Sequence, residues 1–269
     1  MKRLLTVLLL VLLPLFLRAE DYQVYGPLGG IHTSVVLPEG FNTQTDTCQV
    51  VILMHGFWVN SSYHPLPYIS QWLAKRGIAS VTFDFQGCGQ SEGRSTDMTV
   101  EGEIADAAAV YDYVSSLPFV RGVSLLGHSQ GGLVAGMLAG RLAGEGKPVE
   151  SVILMAPAAV IRDYAIKGRF FGIRCNPVSP PDSVNIYGFR IGRNYILDAQ
   201  RLDPYGETSN YPGPVYVLHG TLDEVVPFSY GEAYAQQMPG TKLYPIAGEG
   251  HLFLRLWVLE SILGEIFSK

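Results

Sequence analysis

Six short runs rich in Val, Ile and Leu, at 50–54, 79–83, 123–126, 152–155, 215–218 and 242–244, are separated by stretches long enough to hold helices, and this spacing constrains the fold more than any other feature. Several runs show no polar alternation. A strand with one solvated face alternates apolar and polar residues, so an uninterrupted apolar run reads as a strand covered on both faces, as in a parallel sheet. Between the runs, Val100, Ile104, Ala107, Tyr111 and Val114 recur at steps of four and three and make one apolar helical stripe, with Thr99 placed to cap its N-terminus. Beyond residue 129, Gly131, Gly132, Ala135, Gly136, Ala139 and Gly140 predict a helix whose small-residue face approaches the sheet closely. Strand and helix in alternation predict an α/β architecture, a mostly parallel twisted sheet flanked by helices. Two further strands, 22–25 and 31–37, joined by Gly26-Pro27-Leu28-Gly29-Gly30, predict a hairpin at one sheet edge.

One interval breaks the alternation. From Ala158 to about Glu207 the chain carries prolines, aromatics and charges without a sustained period, far more than the roughly 2–6 residues a simple connection needs. It reads as a cap inserted between the sixth and seventh core strands, over the strand ends where open α/β sheets place ligands. A chain of 269 residues with 48% hydrophobic and 16% charged content can close one such domain, assigned to 20–269. Residues 1–19 stand apart. Lys2 and Arg3 precede an apolar run from Leu4 to Leu17 that contains Pro14 and ends near Ala19, the pattern of an export signal. The run is short of the roughly 20 residues of a membrane span, so a periplasmic or secreted protein without a stable membrane anchor is expected. Residues 20–269 hold 16 basic against 24 acidic side chains, which argues against nucleic acid as a partner. Cys48, Cys88 and Cys175 permit one disulfide at most and read more simply as small buried residues.

Gly127-His128-Ser129-Gln130-Gly131 follows one apolar run directly and opens the small-residue helix. Gly-x-Ser-x-Gly between strand and helix is the setting of a nucleophile elbow, in which a sharp turn lifts the serine hydroxyl above the sheet at a helix N-terminus. A serine hydroxyl needs a base, and the base a group to orient it. Asp223 follows the strand at 215–218, and His251 follows the strand at 242–244 at the start of an apolar C-terminal helix, so the order Ser, Asp, His suits an α/β-hydrolase fold. Glu224, next in the chain, competes with Asp223 for the acid role, whereas His55, His128 and His219 sit in turns at strand ends and read as structural hydrogen-bonding residues. Two backbone N–H groups are expected to hold an oxyanion: that of Gln130, after the serine, and that of Phe57 in the His55-Gly56-Phe57 turn. Gly87-Cys88-Gly89-Gln90-Ser91-Glu92-Gly93 does not fit a dinucleotide fingerprint, and neither His-Glu-x-x-His nor a phosphate loop occurs, so no metal and no nucleotide cofactor is expected.

The segments Phe83 to Gly93, Gly127-His128-Ser129-Gln130-Gly131-Gly132, Ala156-Pro157-Ala158-Ala159 and His219-Gly220-Thr221-Leu222-Asp223, with Met98-Thr99-Val100, together resemble the bacterial cinnamoyl or feruloyl esterases of the α/β-hydrolase superfamily. The resemblance implies hydrolysis of small-molecule or oligosaccharide esters that join hydroxycinnamic acids to plant cell-wall sugars. It also implies that the cap forms an aromatic pocket in which Tyr195 contacts the phenolic hydroxyl. Tyr164, with Asp163 one step away, stands where that family has an acidic residue. A general carboxylesterase, an acyl-peptide hydrolase or a thioesterase of the same fold, and more remotely a non-catalytic exported binding protein, are the alternatives.

Overall fold

The structure, a computed structural model, describes residues 19–268. All of the expected export signal except Ala19 therefore lies outside the described residues. The chain runs β1 (Ala19–Gly26), β2 (Gly29–Val36), β3 (Cys48–Met54), α1 (Leu66–Ala74), β4 (Ala79–Phe83), α2 (Val100–Ser116), β5 (Val120–His128), α3 (Gln130–Gly144) and β6 (Val152–Met155). After an insertion it resumes with β11 (Val215–Gly220), α7 (Phe228–Gln237), β12 (Lys242–Ile246) and α8 (Leu256–Phe267). Eight strands form one sheet in the order β1-β2-β4-β3-β5-β6-β11-β12. The pairs β1–β2 and β2–β4 are antiparallel, and every pair from β4 to β12 is parallel.

The uninterrupted apolar runs are explained by two cores, one on each face of the sheet. Val50, Ile52 and Met54 of β3 pack with α2 and α3, whereas Val51 and Leu53 point the other way and pack with α1 and α8. Leu125 and Leu126 of β5 divide in the same manner. Burial on both faces forbids polar positions at either parity. The stripe on α2 is buried as expected, and Thr99 caps it by accepting the Gly102 N–H at 2.8 Å.

The small face of α3 does two jobs. A Cβ on Gly131 would lie 2.3 Å from the Met54 carbonyl oxygen, so this glycine lets the helix start against the end of β3. Gly136 and Gly140 do not face the sheet as expected. A Cβ there would meet Thr208 and the Glu207 carbonyl of a short helix in the insertion, at 2.7 and 1.9 Å.

That insertion falls between the sixth and seventh strands of the sheet. Its aperiodic sequence resolves into α4 (Val160–Lys167), a hairpin of β7 (Arg169–Phe170) and β8 (Ile173–Arg174), a second hairpin of β9 (Ser183–Ile186) and β10 (Phe189–Gly192), then α5 (Arg193–Ala199) and α6 (Pro204–Ser209). Elements this short show no periodicity over a helical or strand window. Phe170, Ile186, Ile191, Tyr195 and Ile196 join the core on the α2–α3 side, so the cap is packed onto the body. Cys48 and Cys88 are buried, Cys175 is half-buried, and all three are free thiols.

Strand β3 lies between β4 and β5, so the chain leaves it on one side of the sheet and returns on the other. Loops that diverge from two adjacent strand ends open a crevice between them. The two glycines of α3 with opposite surroundings test this packing. Gly131→Ala is expected to destabilise by about 3 kcal/mol or more, because the obstacle is backbone that cannot yield. Gly144→Ala, with nothing within 4 Å of the added Cβ, is expected to stabilise by about 0.4–1 kcal/mol. Urea unfolding of the two variants measures both.

Candidate active site

Ser129 follows β5 and caps α3 with φ 57° and ψ −119°, a positive-φ conformation that L-residues rarely adopt. Close backbone packing holds it there. A Cβ on Gly127 would lie 2.0 Å from the Gly131 carbonyl oxygen, so the strand and helix touch across the turn. The Ser129 N–H donates to the Met155 carbonyl at 2.8 Å, and its own carbonyl accepts the Ala158 N–H at 3.0 Å. The end of β6 thus clamps the elbow from one side. From the other, a Cβ on Gly56 would stand 3.5 Å from Ser129 Oγ, which brings the turn after β3 directly against the serine. The Phe57 and Gln130 N–H groups are spent on no backbone partner among the described residues. They are free to meet negative charge developing beside Ser129.

Asp223 and His251 meet as the sequence order suggests, with His251 Nδ1 2.7 Å from Asp223 Oδ2. That leaves the His251 Nε2 edge for the serine side. Asp223 Oδ1 accepts the Val225 and Val226 N–H groups at 2.9 and 2.8 Å. His219 Nε2 lies 2.9 Å from the Val226 carbonyl oxygen and 3.4 Å from Asp223 Oδ2. Burial opposes the Asp223 charge, but hydrogen bonds from His219 and His251 outweigh it and hold the carboxyl well below the ordinary carboxylate range. Glu224, the competitor for the acid role, is exposed, and it is Asp223 that meets His251. His219 thus stands closer to the chemistry than a turn histidine would.

His251 lies in a turn five residues ahead of α8, and does not start that helix as expected. What fixes its loop is Glu249, which sequence reasoning passed over. The buried Glu249 carboxylate accepts the Leu254 and Arg255 N–H groups at 3.1 and 3.2 Å and the Arg255 guanidinium at 2.9 Å. His128 Nε2 bonds the His251 carbonyl oxygen at 2.8 Å. Burial, with the His251 ring nearby, pushes the His128 pKa down to about 3, so its ring is a neutral donor. Burial likewise lowers the His55 pKa, and its Nε2 accepts the Phe85 N–H at 3.0 Å.

Ser129 and His251 open into one cavity of about 260 Å³, whose other walls include Phe57, Trp58, Tyr63, Phe171, Ile186, Tyr187, Val225 and Leu252. Six non-glycine residues of the described chain have positive φ, and four of them, Trp58, Ser129, Phe171 and Tyr187, line this cavity. Backbone strain is therefore gathered at the site. Phe171-Gly172 and Tyr187-Gly188 are the two-residue turns of the cap hairpins, with φ of 48° and 90° and of 48° and 103°. Such turns favour Asn-Gly. Aromatic residues in the first position cost conformational energy and project rings over the cavity. Phe171 stacks on Phe57 at 5.7 Å, and the Tyr187 hydroxyl donates to the Phe171 carbonyl at 3.1 Å. These aromatic-glycine pairs were the sequence signal for the cavity wall.

The three cap residues named from the resemblance are placed otherwise. Tyr195 is 1% exposed, does not line the cavity, and donates its hydroxyl to Gln130 Oε1 at 2.6 Å. Contact with a substrate phenol is not what this geometry shows, because α5 carries the ring behind Phe57 and Phe170. Asp163 and Tyr164 line a neighbouring cavity of about 300 Å³ that shares only the Phe171 wall with the first. Asp163 Oδ2 accepts from the Tyr230 hydroxyl at 2.9 Å and from Lys167 at 3.2 Å, and the Tyr164 hydroxyl donates to the Val225 carbonyl at 3.2 Å. Among the described residues, no group of three or more His, Cys, Asp or Glu side chains could hold a metal ion, and no helix is long and apolar enough to cross a membrane.

Two expectations follow from this geometry. Tyr187→Asn should raise the unfolding free energy by about 1 kcal/mol through relief of the turn, which thermal unfolding reads. The unfolded chain takes up the His128 proton near pH ~6.5, and the folded chain only at about 3. Acidification through that window therefore favours the unfolded state, and stability falls as pH falls. His128→Asn should flatten the decline, measured as urea midpoints between about pH 7 and 4.

Residues 51–260 match the alpha/beta hydrolase family. Among curated proteins, the uncharacterized protein YfhR of Salmonella typhi is 28% identical over 246 residues, covering 85% of this chain and 74% of that one. The lysophosphatidylserine lipase ABHD12 of Mus musculus is 30% identical over 191 residues, covering 67% of this chain and 41% of the lipase, so this chain matches less than half of the larger enzyme. Among solved structures, Est1E from Butyrivibrio proteoclasticus with ferulic acid bound superposes with a TM-score of 0.84 at 27% identity, covering 91% of this chain and 97% of that one. The Pyrococcus furiosus esterase Pf2001 shares the fold, with a TM-score of 0.68 at 18% identity over 94% of this chain and 92% of that one. The family match runs from within β3 into α8, over most of the chain, and the chain belongs to the alpha/beta hydrolase family.

Proposed function

We propose that the chain is an exported serine esterase that cleaves esters of hydroxycinnamic acids, such as feruloyl or p-coumaroyl esters of cell-wall sugars, through an acyl-enzyme. The observation that carries this reading is Ser129, on a strained turn, sharing one aromatic-walled cavity with a histidine already bonded to a buried carboxylate. Ser129 Oγ attacks the ester carbonyl while His251 Nε2 takes its proton. Asp223 keeps the His251 Nδ1–H oriented and stabilises the imidazolium. The negative charge on the former carbonyl oxygen is met by the Phe57 and Gln130 N–H groups. The tetrahedral intermediate collapses, the sugar hydroxyl leaves with the proton from His251, and the acyl group stays on Ser129. A water molecule, deprotonated by the same histidine, then attacks the acyl-enzyme; the carboxylic acid departs and Ser129 recovers its proton.

The acyl half of the substrate is read from the cavity walls. Phe57, Phe171 and Tyr187 line the cavity with aromatic surface for a planar aromatic acid, in keeping with the likeness to Est1E, solved with ferulic acid bound. Lys2, Arg3 and the apolar run after them are what export requires. A lipid-ester reading has one observation in its favour: Leu254, in the loop that follows His251, and Trp257, in the first turn of α8, are apolar side chains each 68% exposed.

Ser129→Ala, His251→Ala and Asp223→Asn are each expected to lower ester turnover by about a thousandfold or more in folded protein. Near-normal turnover by Ser129→Ala would end the acyl-enzyme reading. A panel of methyl ferulate, p-nitrophenyl butyrate and a lysophospholipid separates the substrate classes. The hydroxycinnamate reading expects the highest kcat/KM on methyl ferulate, and a preference for the lysophospholipid would replace it with the lipid one.

A further inference from the structure

Gln130 carries one of the two N–H groups assigned to the oxyanion, and its side chain is held in a way that the reaction chemistry alone does not require. The residue is wholly buried, and both ends of its amide are engaged. Nε2 donates to Glu103 Oε2 at 2.6 Å, and Oε1 accepts from the Tyr195 hydroxyl at 2.6 Å. The partners come from two separate places in the fold. Glu103 lies in the first turn of α2, on the body, and Tyr195 lies in α5, within the cap. Gln130 itself opens α3 immediately after the strained Ser129.

We infer that Glu103 and Tyr195 form a bracket that positions Gln130 as an oxyanion donor, and that the cap thereby helps to build the reacting end of the site. The inference rests on the acyl-transfer reading of Ser129. The Gln130 N–H direction depends on the residue's backbone angles. A buried amide with both ends bonded cannot turn without leaving polar groups unpaired in a dry interior. Anchors on α2 and α5 resist rotation from two directions, and so preserve the donor's aim before charge develops. Each partner is suited to the task. Burial, with Asp106 and Asp198 nearby, raises the Glu103 carboxyl well above its ordinary range against the opposing Gln130 hydrogen bond, which favours a neutral acceptor. An ionised carboxylate there would add negative charge beneath an oxyanion. Burial likewise keeps the Tyr195 phenol protonated, and its O–H is therefore always a donor.

Tyr195 and Glu103 are thus positioning residues, which act through Gln130 without touching substrate. Tyr195→Phe keeps the ring and removes only the donor. It is expected to lower kcat about tenfold while KM stays within about twofold, and to do so equally on methyl ferulate, methyl cinnamate and p-nitrophenyl acetate. The affinity of a boronic acid that forms a tetrahedral adduct on Ser129 should fall in parallel. Glu103→Leu should show the same pattern, and Glu103→Gln, a neutral acceptor of the same shape, should recover most of the loss. Thermal unfolding of each variant separates a change in kcat from a failure to fold, and the Glu103 pair gives an independent route should Tyr195→Phe fold poorly. Unchanged kcat in folded Tyr195→Phe and Glu103→Leu would overturn the bracket. So would a loss confined to substrates with a phenolic hydroxyl, which would make Tyr195 a substrate contact. Neither result touches the nucleophile, whose own test is labelling of the wild-type chain at Ser129 by a fluorophosphonate. If that labelling fails, the acyl-transfer reading and the bracket fall together.

Discussion

Backbone pressed against backbone at the end of β5 is the constraint on which the rest of the site depends. Gly127 touches the Gly131 carbonyl, Gly131 touches the Met54 carbonyl, and Gly56 stands against Ser129. No side chain fits at Gly127 or Gly131, and one at Gly56 would crowd Ser129 Cβ at 3.0 Å, so β3, β5 and the start of α3 converge more closely than ordinary packing permits. The convergence has two results. It forces Ser129 into a positive-φ conformation that lifts its hydroxyl off the sheet, and it sets the turn after β3 beside the serine with the Phe57 N–H unspent. Strain of this kind survives only where the surroundings over-determine it. Here the apolar runs buried on both faces of the sheet supply that stiffness.

The site is assembled largely from loops, and buried polar groups tie them down. Glu249 gathers N–H groups from the turn that carries His251. Asp223 is locked by two N–H groups of its own loop before it meets His251. His128, held neutral by burial, bonds the His251 carbonyl. Gln130 is gripped from α2 and α5. A loop positioned by hydrogen bonds is less exact than a helix or strand unless those bonds are buried, where breaking one leaves an unpaired group in a low dielectric.

The cap contributes to the site in two ways. Its hairpin tips place Phe171 and Tyr187 over the cavity at a cost in backbone strain, and its buried face joins the main core through Phe170, Ile191 and Tyr195. The packing against α3, where Gly136 and Gly140 admit α6, explains why that helix is so poor in large side chains on one face. The helix is narrowed for the cap as well as for the sheet.

The sequence by itself determined the sheet, the flanking helices, the interruption after β6 and the order of Ser129, Asp223 and His251, because those features are written in local periodicity and in chain order. An apolar run is buried on both faces whatever its neighbours are, and Gly-x-Ser-x-Gly between strand and helix has few ways to turn. The cap resisted the same reading, since strands of two to four residues and helices of six to eight carry no period, and its hairpins were marked only by aromatic-glycine pairs. Tertiary structure alone decided which side chains reach the cavity. Tyr195 sits in a segment full of aromatics, and nothing local separates a ring facing the ligand from one facing the core; the packing of α5 against α2 and α4 sent its hydroxyl to Gln130. That Asp223 and not Glu224 meets His251 has the same kind of reason. One residue along a loop turns a carboxylate from His251 toward solvent, and only the fold fixes where that turn falls.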